Sequence, residues 1–549
     1  MASLGEMLRL LVEQWASYPR PAERLISAVG IDVHWIILQY VMGLPFMAFI
    51  AQLVYLKTRD KFWLDLARTL VKGFVIVFAV GAATGTTAEF GLILLWPGFL
   101  EVGGKFIFFP FYAEIYAFLM EVIFVYFLYY AWSKVVDKAR LILTALVFLG
   151  AWYSGAMILA VNSYMVAPTG LEPAYNPDTG TFLYSQGYPR LELALPANIT
   201  QALDPAWLEE NHIEAYQSDG YTVAKVPSRI VYRLFWEASQ GYTLNQSILW
   251  DGIKPEYREQ LADVTVAKVL DWILYETTSM HDPLLYPLKS PAWPVSVLHT
   301  TGAALAVSGY TVLGAYALRL ITGTGDKARA WRALRFAAYY TLAVMLVQGL
   351  VFGHETGVEV AHLQPEKFAA MEGTSKLIIS IPRDLMLGLG EKLAAFLAYG
   401  DPNKPLPDYD SIPADWCSFP GSPVTECRPP LIIHYAYYTK LGLSIALGAY
   451  TLALVALLAR GKEPGRRMLL AAALSPLVAQ TVSFLGWFVR EAGRKPFTVY
   501  GVFTPEEAGN PAGPDMLQLA LVGLYLVAML GILAWAVYRF LWREGARQA

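Results

Sequence analysis

Three glutamates and one histidine lie in stretches of this sequence that are long and apolar enough to cross a lipid bilayer. They are Glu89 in GAATGTTAEFGLILLWPGF, Glu114 and Glu121 in FFPFYAEIYAFLMEVIFVYFLYYAW, and His34 in an earlier apolar stretch. A carboxylate at membrane depth is costly and is rarely left there without a partner or a function. Glu114 and Glu121 are seven residues apart, so they share one face of a helix. One buried glutamate can simply join helices, but three beside a histidine favour proton or cofactor chemistry.

A second histidine, His299, is predicted at a depth similar to that of His34, near the outer end of its membrane helix. Single histidines in membrane helices are often only hydrogen-bonded polar residues. Two of them, together with carboxylates and many aromatic residues, are typical of haem ligation. No CxxCH motif occurs, so a haem would not be attached through thioethers. The two cysteines, Cys417 and Cys427, are too few for a cysteine-based metal cluster.

The composition indicates a protein with many membrane spans. Of 549 residues, 56% are hydrophobic and only 16% are charged, and the mean hydropathy is +0.41. These values exclude an ordinary soluble enzyme. The net charge of -3 gives no indication of nucleic-acid binding. Residues 1–30 carry charges between short apolar runs, so they do not resemble a cleavable signal peptide.

The sequence predicts an all-α polytopic membrane protein with nine transmembrane helices in a bundle and two large external loops. The predicted spans are residues 32–55, 70–97, 108–131, 139–163, 292–320, 334–353, 432–459, 467–488 and 515–541. Short connections rich in lysine and arginine mark the cytoplasmic side. Five basic segments fall on one side, namely 56–72, 132–140, 319–335, 460–467 and the C-terminal tail with Arg539, Arg543 and Arg547. In the cell membrane, the N-terminus and both long loops are therefore expected outside and the C-terminus inside.

This topology divides the chain into five parts. They are the first four helices with the haem and proton residues (1–164), an external insertion (165–291), helices five and six (292–353), a second external loop (354–431) and the last three helices (432–549). Within the insertion, ALDPAWLEENHIEAYQ is predicted to form short helices. Cys417 and Cys427 lie in the second external loop, where a disulfide would stabilise the fold by roughly 2–3 kcal/mol. The alternative is two free thiols.

Several motifs resemble those of subunit I of the cytochrome bd-type quinol oxidases, over about residues 20–165 and 290–500. They are ERLISAVGIDVHW, GAATGTTAEF, the P-x-x-x-E and AFxxE pattern of the third span, SVLHTTGAALAVSGY and GWFVREAGRKPF. In the second external loop, HETGVEVAHLQPEKFAAMEG is similar to the family's quinol-binding segment. The resemblance implies a membrane enzyme that oxidises quinol at the outer face. Electrons would pass through a low-spin haem b to a high-spin haem b and haem d, or to two haems b, where O2 is reduced to water.

The resemblance also implies roles for the ionisable residues in the membrane. His34 would ligate a haem of the high-spin pair, and His299 would ligate the low-spin haem. Glu89, Glu114 and Glu121 match acidic residues around the high-spin pair and its proton supply, and Glu114 is also a candidate iron ligand.

Further roles lie at the external side. Lys367 and Glu372 match the two residues that the family associates with quinol, and Arg494 in GWFVREAGRKPF is expected to contact the cofactor. The family works as a heterodimer with a related multi-span subunit II. The expected partners are therefore that subunit, membrane quinol, O2 and the lipid bilayer, and no nucleic acid.

Three positions depart from the family pattern, and they concern the haems more than the fold. Lys440, in HYAYYTKLGL, stands where the family has the second, methionine ligand of the low-spin haem. A lysine binds iron only when deprotonated, so Lys440 could instead pair with a haem propionate, and His434 or no protein group could complete the site. Phe484 stands where the family has a glutamate ligand of the high-spin haem b. The Glu114–Glu121 interval is seven residues rather than the usual eight.

Three functions remain open on the sequence alone. The leading interpretation is an active quinol-oxidising terminal oxidase subunit that takes protons from the cytoplasm and so generates a membrane potential. The first alternative is a divergent haem-binding paralogue that serves as a structural or electron-entry partner without its own O2-reducing site. The second is a transporter with buried carboxylates.

Overall fold

The computed structural model describes residues 5–6, 9, 12–14, 18, 20–105, 107–372, 380–386, 388–513, 516–536 and 538. Within these ranges, eight helices are long and apolar enough to cross a membrane. The prediction of a helical, multi-pass membrane protein is thereby confirmed.

The eight membrane helices pack around one apolar core. The first five are α1 (Pro21–Thr58), α2 (Lys61–Leu95), α3 (Phe108–Tyr130), α4 (Asp137–Val166) and α5 (Trp293–Thr322). The sixth consists of α6 (Lys327–Val347) and its continuation α7 (Gly353–Leu363), and the last two are α9 (Ile432–Ala459) and α10 (Arg466–Ala492). The short helix α8 (Pro365–Glu372) follows α7 and is not a membrane span. A last apolar helix, α11, runs over Met516–Ala536.

The count of nine spans is not decided by these helices. The apolar part of α11, Ala520–Trp535, is shorter than the eight others. The predicted ninth span, 515–541, and the basic tail behind it extend beyond the described residues. Nine spans therefore stay a prediction.

The sixth span differs from its prediction in length. A π-helical turn over Gln348–Phe352 joins α6 to α7 without a break, so the helical run reaches Leu363. The segment GHETGVEVAHL, expected mostly in an external loop, thus extends the membrane helix. A π-turn inside a helix often marks a functional site.

Acidic residues pair with the basic connections at one end of the bundle. Asp60 caps α2 by accepting a 3.0 Å hydrogen bond from the backbone N–H of Phe62, and it also pairs with Arg332. Arg59 reaches Asp137 at the start of α4, at 2.9 Å. The first three predicted basic connections therefore meet at the same end of the bundle.

The two long segments, 165–291 and 354–431, pack against each other at the opposite end. Lys404 Nζ lies 2.8 Å from an oxygen of Asp178. The Tyr175 hydroxyl donates to the carbonyl oxygen of Pro405 at 2.8 Å. The two predicted external segments are thus one structural unit above the membrane helices.

The insertion contains β-structure that the sequence analysis did not anticipate. Its strands are β1 (Leu171–Glu172), β2 (Tyr175–Asn176), β3 (Thr181–Phe182), β4 (Arg190–Leu195), β5 (Glu214–Ser218) and β6 (Tyr221–Pro227). Four of them form an antiparallel sheet in the order β1-β4-β6-β5, and β2 pairs with β3. Two helices, Ser228–Ser239 and Val266–His281, contribute to the same apolar core, with shorter helices at Ala197–Ala202, Pro205–Glu210 and Pro255–Leu261.

The prediction of short helices throughout ALDPAWLEENHIEAYQ was wrong in its second half. The helix ends at Glu210, and β5 begins at Glu214. The reason is the two-residue turn Asp219–Gly220, where both residues have positive φ and Ser218 pairs with Tyr221. An Asp-Gly turn of this kind closes a β-hairpin.

Cys417 and Cys427 form a disulfide, as predicted. Both cysteines are buried in a small apolar cluster with Tyr232 of the insertion and Phe497, which follows α10. The loop that carries the disulfide is therefore packed between the insertion and the end of α10.

Candidate functional site

His34 faces α2 at the GAATGTTAEF motif. Its Nδ1 lies 3.0 Å from the hydroxyl oxygen of Thr84, whose single proton points to the backbone carbonyls of Val80 and Gly81. The hydroxyl therefore accepts from Nδ1–H, and Nε2 keeps its lone pair. A side chain at Gly85 would place its Cβ 2.9 Å from the His34 ring, so this glycine allows the ring to lie close to α2. The arrangement leaves Nε2 available to bind a metal.

Glu89 and Glu114 come together between α2 and α3. Glu89 follows Gly85 by one helical turn, so it lies on the His34 side of α2. The carboxyls of Glu89 and Glu114 interact directly, and Ser154 on α4 donates to Glu114 Oε1 at 3.0 Å. Two carboxyls in contact can share one proton, which suits transfer between them.

Glu121 lies deeper on the same face of α3. It is 3% exposed, and its side chain packs against Gly150, one turn from Ser154 on α4. The seven-residue spacing therefore does direct Glu114 and Glu121 to the same neighbouring helix. Among the described residues, Glu121 Oε1 has no hydrogen-bond partner. A buried carboxyl oxygen of this kind is costly and often indicates a missing water, ion or function.

The motif ERLISAVGIDVHW on α1 and the motif GWFVREAGRKPF at the end of α10 meet beside His34. Trp35 donates through Nε1 to the Ser483 hydroxyl at 3.0 Å and stacks on Trp487 with ring centroids 5.4 Å apart. Phe484 sits between these two contacts on α10 and is 37% exposed. The aromatic ring thus occupies the position where a carboxylate ligand was expected from the resemblance.

His299 is held by the π-helical turn that joins α6 to α7. Its Nδ1 lies 3.4 Å from the Phe352 carbonyl oxygen and 3.2 Å from Gln348 Nε2. Gln348 Nε2 also donates to the backbone carbonyl of His299 at 3.1 Å. These two contacts need opposite tautomers, because the Phe352 carbonyl accepts from Nδ1–H whereas the Gln348 amide donates to an unprotonated Nδ1. In either case Nε2 has no hydrogen-bond partner among the described residues, and the tautomer with Nδ1–H is the usual state of a metal-binding histidine.

Lys440 lies in the same neighbourhood as His299. Its amine interacts electrostatically with His299, and its stem passes 3.6 Å from the Cβ position of Gly486 in the GWF motif. In the described part of the chain, no carboxylate forms a salt bridge with Lys440. An amine beside a histidine, without an acidic partner, fits an anionic group or a metal that binds between them.

His434 is not available as a ligand, so the prediction that it could complete the low-spin site was wrong. Its Nδ1 lies 2.7 Å from the Met371 carbonyl oxygen, and its Nε2 accepts from the backbone N–H of Ile381 at 3.3 Å. Both ring nitrogens are therefore used by the backbone. The residue instead ties α8 to the chain that follows it.

Lys367 and Glu372 lie on α8, all eight residues of which are buried. The stem of Lys367 crosses Gly493 so closely that a Cβ there would lie 2.6 Å from Lys367 Cδ. Burial, together with the positive charge of Arg490, lowers the pKa of Lys367 to about 7. The amine can therefore both bind and release a proton near neutral pH.

Glu372 ends α8 at the edge of a polar cavity. The Tyr438 hydroxyl donates to Glu372 Oε2 at 2.8 Å. Burial raises the pKa of Glu372 to about 7, although this hydrogen bond acts in the opposite direction. The cavity has a volume of about 560 Å³ and is lined by charged residues of both signs, including Arg383 and Glu391. A proton on Glu372 thus has a polar route away from α8.

Arg494 belongs to a charged network at the end of α10. It donates to Glu491 Oε2 at 2.5 Å and to the carbonyl oxygen of Thr498. Asn162 on α4 donates to Glu491 Oε1 at 2.7 Å and accepts from Arg490 Nε at 2.5 Å. Of these residues, only Arg494 was predicted from the sequence. Arg490 and Glu491 could have been found within GWFVREAGRKPF, but no sequence signal indicated Asn162.

Comparison with known proteins assigns the chain to a family. The family model for cytochrome bd terminal oxidase subunit I matches residues 22–186 and 273–546, which is most of the chain. The chain belongs to this family. Residues 187–272, the greater part of the external insertion, fall outside the match.

Individual relatives agree with this assignment over shorter stretches. The chain is 35% identical over 149 residues to a putative cytochrome bd menaquinol oxidase subunit I of Bacillus subtilis, covering 27% of this chain and 34% of that protein. It is 32% identical over 138 residues to the cytochrome bd-II ubiquinol oxidase subunit 1 of Escherichia coli, covering 25% and 27%. These alignments span about a third or less of each relative's length.

A solved structure shares the fold. The bd oxidase of Geobacillus thermodenitrificans aligns over 96% of this chain and 98% of its own, with a TM-score of 0.65 and 20% sequence identity. At this identity the likeness concerns the fold alone. The fold of this cytochrome bd subunit I is thus supported over nearly the whole chain, including the segments 165–291 and 354–431.

The residues of this subunit I fit haem better than a metal held by protein alone. Within the described ranges, no three potential metal ligands come together. A haem needs only one or two protein ligands, because the porphyrin supplies the other four. Among the described residues, Nε2 of His34 and Nε2 of His299 have no hydrogen-bond partner, and Lys440 and Arg490 place positive charge near His299.

Proposed function

We propose that this chain is the haem-containing subunit of a membrane terminal oxidase, which oxidises quinol at the outer face and reduces O2 to water. The observation that carries the proposal is the position of α8. This helix places the Lys367 amine within electrostatic reach of Lys440, which itself neighbours His299. A quinol bound at Lys367 would therefore lie beside the haem that His299 would hold.

The haem ligands follow from the free ring nitrogens. His299 would hold a low-spin haem b, and Lys440 and Arg494 would contact it. His34 would hold a haem of a high-spin pair, either haems b and d or two haems b, with Glu114 as a further candidate ligand. When bound, these groups accept electrons singly and deliver them to O2.

The chain's own residues would handle the quinol and its protons. Lys367 hydrogen-bonds a quinol oxygen, and Glu372 accepts a proton as the quinol loses electrons. The polar cavity beside Glu372 lets that proton leave on the external side. Conversion of quinol to quinone releases two protons and two electrons, so Glu372 would accept and pass on the two protons one after the other, and the electrons would pass to a haem held by His299.

Protons for water formation would travel along α3. Glu121 lies about 10 Å, two helical turns, from Glu114 towards the membrane interior. Glu114 contacts Glu89, which lies on the His34 side of α2. Uptake from the cytoplasm and release outside would make turnover generate a membrane potential.

The expected setting is a heterodimer in the cell membrane, with subunit II as the partner. On α3 a row of large apolar side chains is exposed, including Ile115, Leu119 and Phe127, which fits an apolar neighbour. Lipid or the second subunit would cover this row. The long segments 165–291 and 354–431 would face outside and the C-terminus the cytoplasm.

The quinol site is tested by the double substitution Lys367→Ala/Glu372→Ala. We expect kcat/KM for a short-chain quinol to fall by about 100-fold or more, because both the binding group and the proton acceptor are removed. Steady-state oxidation is measured on the purified complex. The matched control is Lys105→Ala/Asp271→Ala, which breaks an exposed lysine–aspartate pair and should change nothing. Wild-type kcat and KM in the first variant would place the quinol site elsewhere.

A pH profile tests the assignment of Glu372. Its pKa is raised to about 7, so below that pH the carboxyl is protonated and cannot accept a proton from quinol. Above it the carboxylate forms, and the Lys367 amine also becomes neutral. We expect kcat/KM to rise by about tenfold between about pH 6 and 8. Glu372→Gln should flatten this rise, and an unchanged profile in that variant would exclude Glu372 as the acceptor.

One observation favours a second candidate function. Phe484 replaces the expected carboxylate ligand of the high-spin site, so the chain could bind haem and pass electrons without reducing O2 itself. O2 consumption with quinol separates the two. An oxidase consumes O2, whereas a paralogue of this kind takes up electrons from quinol but leaves O2 unchanged.

A further inference from the structure

Glu366 is buried next to Lys367, and it has no role in the scheme above. Neighbouring residues of a helix point about 100° apart. Lys367 lies against Gly493, whereas Glu366 points to Tyr184. Glu366 is 1% exposed, and its Oε1 accepts a 3.0 Å hydrogen bond from the Tyr184 hydroxyl. The contact joins α8 to the start of the external insertion.

The Tyr184 ring is fixed independently of this hydrogen bond. It stacks on Trp416 with centroids 5.4 Å apart and on Phe182 at 5.3 Å. Trp416 is held in turn because its Nε1 donates to the carbonyl oxygen of Cys427 at 3.1 Å, beside the disulfide. Packing therefore aims the Tyr184 hydroxyl at Glu366.

The Tyr184 hydroxyl makes the one well-formed side-chain hydrogen bond to the Glu366 carboxyl among the described residues. Tyr500 lies beside the same carboxyl, but within the described residues neither Tyr500 Oη nor Glu366 Oε2 makes a well-formed hydrogen bond. Burial raises the pKa of Tyr184 well above its usual value, so the hydroxyl stays protonated and can donate. Loss of this donor would leave a buried carboxyl without a proper partner.

Tyr184 is also anchored to the inserted segment. The guanidinium of Arg190, at the start of β4, donates to the carbonyl oxygen of Gln186 at 2.8 Å. Gln186 ends the short helical turn that begins at Tyr184. The family match breaks off at residue 186, so the part of the insertion that falls outside the match begins where this turn ends.

We propose that Tyr184 is a positioning residue of the quinol site, which holds Glu366 and thereby fixes the rotation of α8 and the place of Lys367. This inference rests on the proposed function, because quinol is the ligand that Lys367 would bind. On this proposal, the inserted segment keeps Tyr184 in place next to α8.

The test uses Tyr184→Phe in the full oxidase complex, with duroquinol as the substrate. The variant keeps the stacked ring and removes only the hydroxyl. We expect KM to rise by about tenfold, which corresponds to the net free energy of one lost hydrogen bond. The value of kcat at saturation should change less than twofold. Hydrogen exchange followed by mass spectrometry should show faster exchange in the peptide that covers 365–372. The matched control is Tyr216→Phe, whose hydroxyl donates to Glu192 on the exposed sheet at 3.2 Å.

Substitutions at Glu366 test the contact from its other side. Glu366→Gln keeps an oxygen that accepts from Tyr184, so KM should stay near the wild-type value. Glu366→Ala removes the acceptor, so KM should rise as in Tyr184→Phe. A large fall in kcat in Glu366→Gln would instead make Glu366 a proton carrier and overturn the positioning role. These two variants decide the matter if Tyr184→Phe fails to accumulate.

The outcomes separate this inference from the function on which it rests. If Tyr184→Phe has the wild-type KM and exchange rate while Lys367→Ala/Glu372→Ala loses quinol oxidation, only the positioning role is wrong. If the double variant keeps full activity, the quinol site itself is misplaced. Faster exchange in 365–372 with unchanged KM would show that Tyr184 holds the helix but not the quinol, and would also overturn the proposal.

Discussion

His299→Ala is expected to remove the low-spin haem signal and to abolish quinol-driven O2 reduction, while leaving the high-spin features largely intact. His299 is the histidine whose Nδ1 is occupied by the π-helical turn and whose Nε2 is free. Loss of the His299 imidazole would remove a ligand of the low-spin haem, whereas His34 lies against a different helix and keeps its own environment. The measurement is a reduced-minus-oxidised spectrum, with haem counted as the pyridine haemochrome.

The matched control for this prediction is His281→Ala. His281 lies in the external insertion, where its ring stacks on Tyr286 with centroids 5.4 Å apart. It should keep every haem band and the wild-type haem content. An unchanged low-spin spectrum in folded His299→Ala would show that another residue ligates that haem.

The membrane part of the site was largely predictable because its constraints are local and periodic. Apolar stretches of fixed length gave the helices, and a seven-residue interval was enough to direct Glu114 and Glu121 to one neighbour. That neighbour is α4, through Ser154 and Gly150, which no periodicity could identify. Residue spacing thus predicts that two side chains share one face of a helix. Which helix this face contacts depends on the packing of the whole bundle.

The external part was less predictable because contacts between distant segments decide it. His434 looked like a possible ligand when only its helix was considered, yet both of its nitrogens bind the backbone of a different segment. The contact of Glu366 with Tyr184 could not be predicted from the sequence, because the two residues are 182 positions apart. In contrast, the hairpin at Asp219–Gly220 carried a local signal that could have been used.

Lys440→Met is the variant that tests how far this subunit follows its family at the low-spin haem. Since His434 is occupied, Lys440 is the polar side chain of α9 that neighbours His299. It has no acidic salt-bridge partner among the residues that the structure describes. We expect Lys440 to pair with a haem propionate, so that Lys440→Met loses low-spin haem or shifts its band slightly, with the ligand field unchanged.

Ligation of iron by Lys440 predicts a different result. A thioether in its place would shift the low-spin band and raise the haem's reduction potential, because methionine favours ferrous iron. Lys440→Arg sharpens the distinction, since a guanidinium stays charged and can pair with a propionate but cannot bind iron. Retention of haem with the wild-type low-spin band in Lys440→Arg is therefore expected for the pairing role and excluded for ligation.

The measurements for Lys440 are the low-spin spectrum, haem content and a redox titration of each purified variant. Lys462→Met, at an exposed position after α9, is the matched control and should behave as the wild type. A raised potential with a new band in Lys440→Met, together with haem loss in Lys440→Arg, would contradict the propionate pairing and establish lysine as the ligand. If Lys440→Met matches the wild type in all three measurements, neither role holds, and the low-spin haem would be bound through His299 without help from this side chain.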